Sequence, residues 1–400
     1  MPILADLPFA QELSVSLASR YSDYDTFGDT TNSKFGFTWK PLDSLLVRGT
    51  WSEGFRAPTV ADLYGGVGQS FETYTDPCDT KFGSVGGSAQ CLADVPANYR
   101  QPVNDADDMA DNPNSQTRIP FLSGSNPNLT PETSESQTLG VVWSPGFAQN
   151  LNLSLDWFNI RIENTIVGDS PTDILDDCYV RGIESRCDAL GPDAFVRDPL
   201  TGEITSLAFG GRNAGFQEIE GFDFDLNYRM ETAYGNFGLA WMNTYVSKSE
   251  LKTDNLDGAP QQQNGFGGNF RLRSNASLSW DMGDFGATWS TRYYSGVKEK
   301  CAFKPTAANI EADLVRCSLP DYAAPDTQGN IVPMNELGST TFHDVQVRWN
   351  APWNATIAIG ANNVFEHYAS PNYDQPNSGY SYYGGFDIGR MVYMKYQQRF

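Results

Sequence analysis

Around Arg271 the chain alternates with a period of two for about ten residues. Phe270, Leu272, Ser274, Ala276, Leu278 and Trp280 share one face, and Asn269, Arg271, Arg273, Asn275, Ser277 and Ser279 share the other. An aliphatic and aromatic face opposite a charged one, at this length, suits a tilted strand that crosses a membrane. The pattern recurs. Phe222, Phe224, Leu226 and Tyr228 oppose Asp223, Asp225 and Asn227; Val345, Val347 and Trp349 oppose Gln346 and Arg348; Leu13, Val15 and Leu17 oppose Ser14 and Ser16. No apolar run approaches the roughly 18 residues of a membrane helix. A chain of this kind crosses a bilayer with strands closed into a barrel, since only helices and barrels satisfy the backbone in lipid.

The alternation predicts an all-β chain, an antiparallel transmembrane β-barrel portion of about 12 strands. They lie near residues 11–21, 33–40, 44–55, 134–144, 150–163, 216–230, 235–248, 268–281, 285–296, 339–350, 354–364 and 387–400. Their connections sort by length. Those near 40–43, 144–150, 230–234, 281–284 and 350–354 are short, and those near 56–133, 164–215, 249–267, 297–338 and 365–386 are long. Outer-membrane barrels have short periplasmic turns and long surface loops, so one set of ends faces the periplasm and the other the cell exterior. Trp39, Trp51, Trp143, Trp280, Trp289, Trp349 and Trp353 fall near strand ends, where an interfacial aromatic girdle belongs.

All six cysteines fall in long connections, as the local pairs Cys78 with Cys91, Cys178 with Cys187, and Cys301 with Cys317. Six cysteines admit many pairings, but the local one closes short loops and suits an oxidising compartment. None has C-x-x-C spacing, and the two histidines, His343 and His367, lie far from the first two pairs, which speaks against zinc. The net charge of −22 argues against nucleic acid as a partner, because phosphate contacts need clustered Lys and Arg. Met1-Pro-Ile-Leu-Ala-Asp has neither a basic start nor a sustained apolar stretch, so it is no export signal. The expectation is therefore a chain that begins partway through a longer protein. At the other end Val392, Met394, Tyr396, Gln398 and Phe400 share a face; a terminal aromatic on an alternating strand, here Phe400 with Tyr396, resembles the signal read by the barrel assembly machinery, with Gln398 out of pattern.

Three stretches carry a family resemblance. The first runs from Leu45 through Arg48, Gly49, Trp51, Glu53, Gly54, Phe55, Arg56, Ala57, Pro58 and Thr59 to Asp62, Leu63 and Tyr64. The second is Asn126-Pro127-Asn128-Leu129-Thr130-Pro131-Glu132 leading into a strand, and the third is Gly360-Ala361-Asn362-Asn363-Val364-Phe365 with the final strand. In this order they resemble the barrel of TonB-dependent receptors. The resemblance implies import of a scarce small-molecule ligand, such as an iron-siderophore, a vitamin or a saccharide, across the outer membrane of a Gram-negative bacterium. It implies a plugged barrel of about 22 strands, driven by the TonB complex through a periplasmic TonB box. Residues 1–400 are then the C-terminal part of one barrel domain embedded in outer-membrane lipid, with the N-terminal plug and first strands absent. A fragment of that kind exposes two unpaired strand edges. A passive porin-like channel complete at twelve strands, or a surface-binding structural barrel, are the other readings of the same pattern.

No ligand contact carries over from the family, so candidate contacts rest on chemistry. Tyr368, Tyr373, Tyr380, Tyr382 and Tyr383, with Phe386, crowd the last loop and could stack on a sugar or a planar aromatic, or else pack that loop down. Phe71, Tyr74, Tyr99 and Phe121 in the first long loop carry the same ambiguity. Asp105, Asp107, Asp108 and Asp111 form an acidic knot without the glycine and terminal glutamate of a calcium loop, and read as solvated. No nucleophile elbow, phosphate loop or H-E-x-x-H is present, so neither an enzyme, a resident metal nor a cofactor is expected.

Overall fold

The computed structural model describes residues 2–102, 115–187, 195–255, 259–299, 335–369, 382–384 and 389–399. Its framework is one antiparallel sheet whose neighbours follow chain order. The strands are β1 (Pro2–Leu7), β2 (Ala10–Tyr24), β3 (Gly28–Leu42), β4 (Leu45–Arg56), β5 (Glu132–Trp143), β6 (Leu151–Glu163) and β7 (Phe216–Thr232). They continue as β8 (Gly235–Lys252), β9 (Leu272–Met282), β10 (Phe285–Tyr294), β11 (Thr340–Ala351), β12 (Ala355–Asn362) and β13 (Met391–Gln398). Among the described residues the sheet is open, with β1 and β13 as its edges.

All twelve expected strands are present. The thirteenth, β1, is short, has Asp6 at φ 55° and breaks register between Pro2 and Leu4, so it has no sustained alternation to read. Between β2 and β3 the chain turns within residues 25–27, although no apolar period runs through residues 22–32. Ser22, Asp23, Asp29 and Thr30 are still paired strand residues, but this part of the hairpin has no apolar side left to reveal it. β9 begins at Leu272 rather than at 268, because Phe270 turns into a loop core described below.

Pairing carries the apolar face unbroken across the sheet. One row joins Leu13, Trp39, Val47, Val141, Leu155 and Phe224 across β2 to β7. A second joins Phe237, Trp280, Ala287, Val347, Ile359 and Met394 across β8 to β13. These side chains stay uncovered: Leu155 is 49% exposed, Val347 58% and Met394 65%. A continuous apolar band of this extent is untenable in water and is what a bilayer covers. On β7 it runs from Met230 to Phe222, roughly 20–25 Å for a tilted strand, and then gives way to Glu220 and Glu218.

The tryptophans mark both boundaries. Trp39, Trp143, Trp280, Trp349 and Trp353 stand at the short-turn end. Trp51 donates its indole N–H to Glu135 at 2.8 Å and Trp157 to Glu220 at 3.1 Å, apolar ring below and polar partner above. Trp289, within β10, donates to His343 Nδ1 at 3.3 Å. Strands thus continue beyond the bilayer on the long-loop side, which puts the outer girdle inside strands rather than at their ends. Gln398 fits the same logic at the inner boundary: its amide donates to the Trp353 carbonyl at 2.9 Å and accepts from the Tyr396 hydroxyl at 2.6 Å. Tyr396 itself faces outward, 57% exposed and paired with Ile357, while Phe400 lies outside the described residues.

On the opposite, lumen-facing side, charges pair across glycines. Arg48 on β4 holds Asp156 on β6 in a two-pronged bond, 2.9 Å on each prong, over Gly140 of the intervening β5. Arg348 reaches Asp281 over Gly286 in the same way, and Arg292 pairs with Asp344. Other lumenal charges take uncharged partners: Asp223 accepts from Thr244 at 2.7 Å and Arg273 donates to the Gly268 carbonyl at 2.8 Å. A Cβ on Gly140 would overlap the Asp156 carboxylate. Gly140→Ala should therefore break the Arg48–Asp156 pair, at a cost of about 1 kcal/mol for a half-exposed ion pair; urea midpoints of the folded barrel measure it, and an unchanged midpoint would show the pair to be idle.

Candidate functional site

The long connections 57–131 and 164–215 do not stand apart as two loops; they fold together into one cap. Its small sheet runs Ile166–Gly168, Ile204–Asn213, Phe121–Gly124, Val67–Ser70, with Phe195–Arg197 also on the second of these. The two connections meet in a parallel pairing, Ala208 with Leu122 and Gly210 with Gly124. Three of the cap's short helices are started by a side chain that takes an otherwise unpaired backbone N–H: Thr59 before Val60–Tyr64, Ser88 before Ala89–Asp94, and Ser170 before Pro171–Leu175. Asp62 and Asp173 return the bond to complete capping boxes.

Both connections contribute to one apolar core. Tyr74, Val95, Tyr99 and Phe121 from the first pack with Ile174, Leu175, Tyr179, Ile204 and Leu207 from the second. The Cys78–Cys91 and Cys178–Cys187 disulfides lie against it, with Cα separations of 5.4 and 5.3 Å, as local pairing anticipates. The third pair, Cys301 and Cys317, lies outside the described residues, as does the acidic knot from Asp105 to Asp111.

At the centre sits a charged pair. Arg197, 5% exposed at its side chain, forks onto the fully buried Asp76 at 2.7 and 2.9 Å. Asp76 also accepts from the Tyr99 hydroxyl and the Cys78 N–H, and Arg197 donates to the Tyr179 oxygen at 2.9 Å. The guanidinium lies near the rings of Tyr99, Tyr179 and Phe195, a further electrostatic gain. Arg118 with Glu203 and Gln90 with the Cys178 carbonyl add ties between the two connections. Sequence reasoning named Tyr74, Tyr99 and Phe121 but missed Asp76, Arg197 and Tyr179. Partners 121 positions apart leave no local signal.

Burial pushes the Tyr179 hydroxyl up to about 12, against an ordinary 10.0, and raises Tyr74 and Tyr99 as well. An acid harder to ionise when folded favours unfolding once the unfolded form loses its proton. The cap is expected to loosen progressively as pH rises from 10 to 12, read as protease cleavage tracking tyrosinate absorbance; cleavage unchanged over that window would place these rings outside a cooperative core.

The last connection behaves differently. Tyr383 is 2% exposed and packs with Phe270, Tyr294 and Phe342. Tyr294 and Phe342 lie on the lumen-facing side of β10 and β11. Tyr382 donates its hydroxyl to Glu299 at 2.6 Å. Tyr368 is 62% exposed, apart from that cluster, and Tyr373 and Tyr380 lie outside the described residues. Of the five candidate tyrosines, two are thus brought together as packing and one, Tyr368, is exposed at the surface with its hydroxyl donating to Glu366 at 3.4 Å.

An open antiparallel sheet, apolar outside, charge-paired inside and capped at one end by long disulfide-pinned loops, is the wall of an outer-membrane barrel. The profile of the TonB dependent receptor-like β-barrel matches residues 3–364, and the chain belongs to that family. This is a family of transporters and receptors rather than enzymes, seated in the Gram-negative outer membrane. The fold is similar to that of the siderophore receptor PirA from Acinetobacter baumannii, at 16% identity and a TM-score of 0.58 over 96% of this chain and 43% of that one. It is similar also to a variant of the ferric enterobactin receptor PfeA from Pseudomonas aeruginosa, at 14% identity and a TM-score of 0.55 over 96% and 42%. Another PfeA variant, in complex with enterobactin, gives 14% and 0.56 over 96% and 43%. The chain thus spans less than half the length of these receptors. A search by sequence among curated proteins returned no match.

Proposed function

We propose that this chain is the C-terminal part of the barrel of a TonB-dependent receptor, which captures a scarce solute with its surface cap and imports it across the outer membrane. The plug, its TonB box and the remaining strands belong, on this reading, to the rest of the receptor. The observation that carries it is the cap: two long connections folded into one disulfide-pinned unit over a wall whose inner face is polar. A passive pore has no need of such a unit, whereas a receptor needs a structured surface to hold a ligand that is dilute. The open sheet and the coverage of 42–43% of solved receptors support a role as part of a larger barrel.

Whole cells carrying the gene at its native locus, grown with a labelled ferric siderophore, cobalamin or maltodextrin, test the reading. Uptake of one solute should collapse to the level of the gene deletion when TonB is removed or its proton-motive drive is dissipated. Uptake that persists without TonB would instead favour a passive channel.

A further inference from the structure

The cap contains a cleft of about 530 Å³ between its two connections. The Tyr179 and Phe195 rings, set edge to face at 6.2 Å, line it with Leu92, Pro96, Pro199 and the Cys178–Cys187 disulfide. Among the described residues Asp94 is its one carboxylate. One Asp94 oxygen accepts from the Tyr179 hydroxyl at 2.9 Å; the other has no partner among the described residues, and the side chain stands at the exposed rim. Among the described lining residues the one cation, Arg197, is turned into the core and bonded to Asp76, Tyr179 and the Gly202 carbonyl.

The same bias holds across the cap. Residues 57–131 and 164–215 hold 18 Asp and Glu against 7 Lys and Arg, so they carry −11 of the chain's −22. Every arginine of those segments is already in an ion pair: Arg100 with Asp79, Arg118 with Glu203, Arg181 with Asp177, Arg186 with Asp169 and Asp177, Arg197 with Asp76, Arg212 with Asp169. Lys81 lies over the Phe82 ring. An anionic ligand is held by free guanidinium forks or ammonium groups, and the cap has no arginine to spare for one. An apolar cleft with a half-free carboxylate, set in a negative field, suits the opposite charge.

We infer that this cleft takes a solute joining a positive charge to an aliphatic or aromatic body, and that the receptor selects against anionic chelates. This rests on the receptor reading above and narrows its substrate class. The cation would sit at Asp94 Oδ1 and the apolar portion against Tyr179, Phe195 and Leu92.

Outer-membrane vesicles from cells expressing the gene at its native locus, with the deletion strain as blank, test the cleft directly. The probes are the ferric complex of a linear trihydroxamate with a free amine, the same complex N-acetylated and so neutral, and an anionic ferric tris-catecholate. The amine form should bind about tenfold tighter than its acetylated twin, with an advantage that shrinks as salt rises, and the catecholate weakest. Asp94→Asn should remove most of that tenfold difference, and Leu92→Arg should invert the order, while protease resistance reports that the cap still folds. Catecholate binding equal to or tighter than the amine form, or no binding of the amine form, overturns the inference. Uptake with and without TonB is scored separately: charge-selective binding without TonB-dependent uptake keeps the cleft and sinks the transport reading.

Discussion

Arg197→Met is expected to open the cap while leaving the barrel wall folded. The substitution removes the fork from Asp76, whose side chain is 0% exposed, and strands a carboxylate in the core. Breaking a buried pair from one side costs about 3–5 kcal/mol, because the remaining charge is neither solvated nor compensated. Against the roughly 5–15 kcal/mol that holds a domain folded, that is a large share. Protease added to intact cells should cut within 57–131 and 164–215 at least about a hundredfold faster, while the heat-modifiable mobility of the barrel on gels stays unchanged. Replacing both partners by apolar residues, Asp76→Leu with Arg197→Met, should recover part of the loss, since no lone charge is left. If the single variant is cut no faster than the parent, the pair does not hold the cap together.

The second large effect separates neighbours in sequence. Leu155 lies in the apolar row of β6, midway across the band, and Leu155→Arg puts a charge into lipid at a cost of about 2–4 kcal/mol. Ser154, one residue earlier, faces the lumen opposite Asp225, so Ser154→Arg should change folding stability by less than about 0.5 kcal/mol. Refolding into phospholipid vesicles, followed by urea titration of each full-length receptor variant, measures both. Equal costs at the two positions would mean that the assigned faces are wrong, because a shift of one residue exchanges them.

That dependence on a period of two explains what was legible in the sequence. Strands were readable where lipid covers one face, as at Phe222, Phe224 and Leu226, since the solvent on each side dictates residue type. They became unreadable once both faces met water, as at Asp23 and Asp29, or where too few residues remained to show a period, as in β1. The local disulfides at Cys78 and Cys178 were legible from spacing because loop closure is a local matter. The cap was not. Its parallel pairing of Leu122 with Ala208 and its Arg197–Asp76 contact depend on β4 to β7 bringing distant segments side by side, and nothing near either residue announces the other. Tyr383 shows the converse: a conspicuous aromatic run in the last loop holds at least one ring that packs structure.

The shared core has a bearing on how such receptors could be re-engineered or could exchange parts. A surface loop is usually treated as the natural module for grafting between barrels. Here a graft of 57–131 alone would transplant Asp76, Tyr99 and Phe121 without Arg197, Tyr179 and Leu207, half an interior facing water. The smallest self-sufficient cassette is the stretch from Ala57 to Gly215, with β5 and β6 included as the hinge pin between its halves. Recombination breakpoints inside that stretch should be purged, and those at its two margins tolerated.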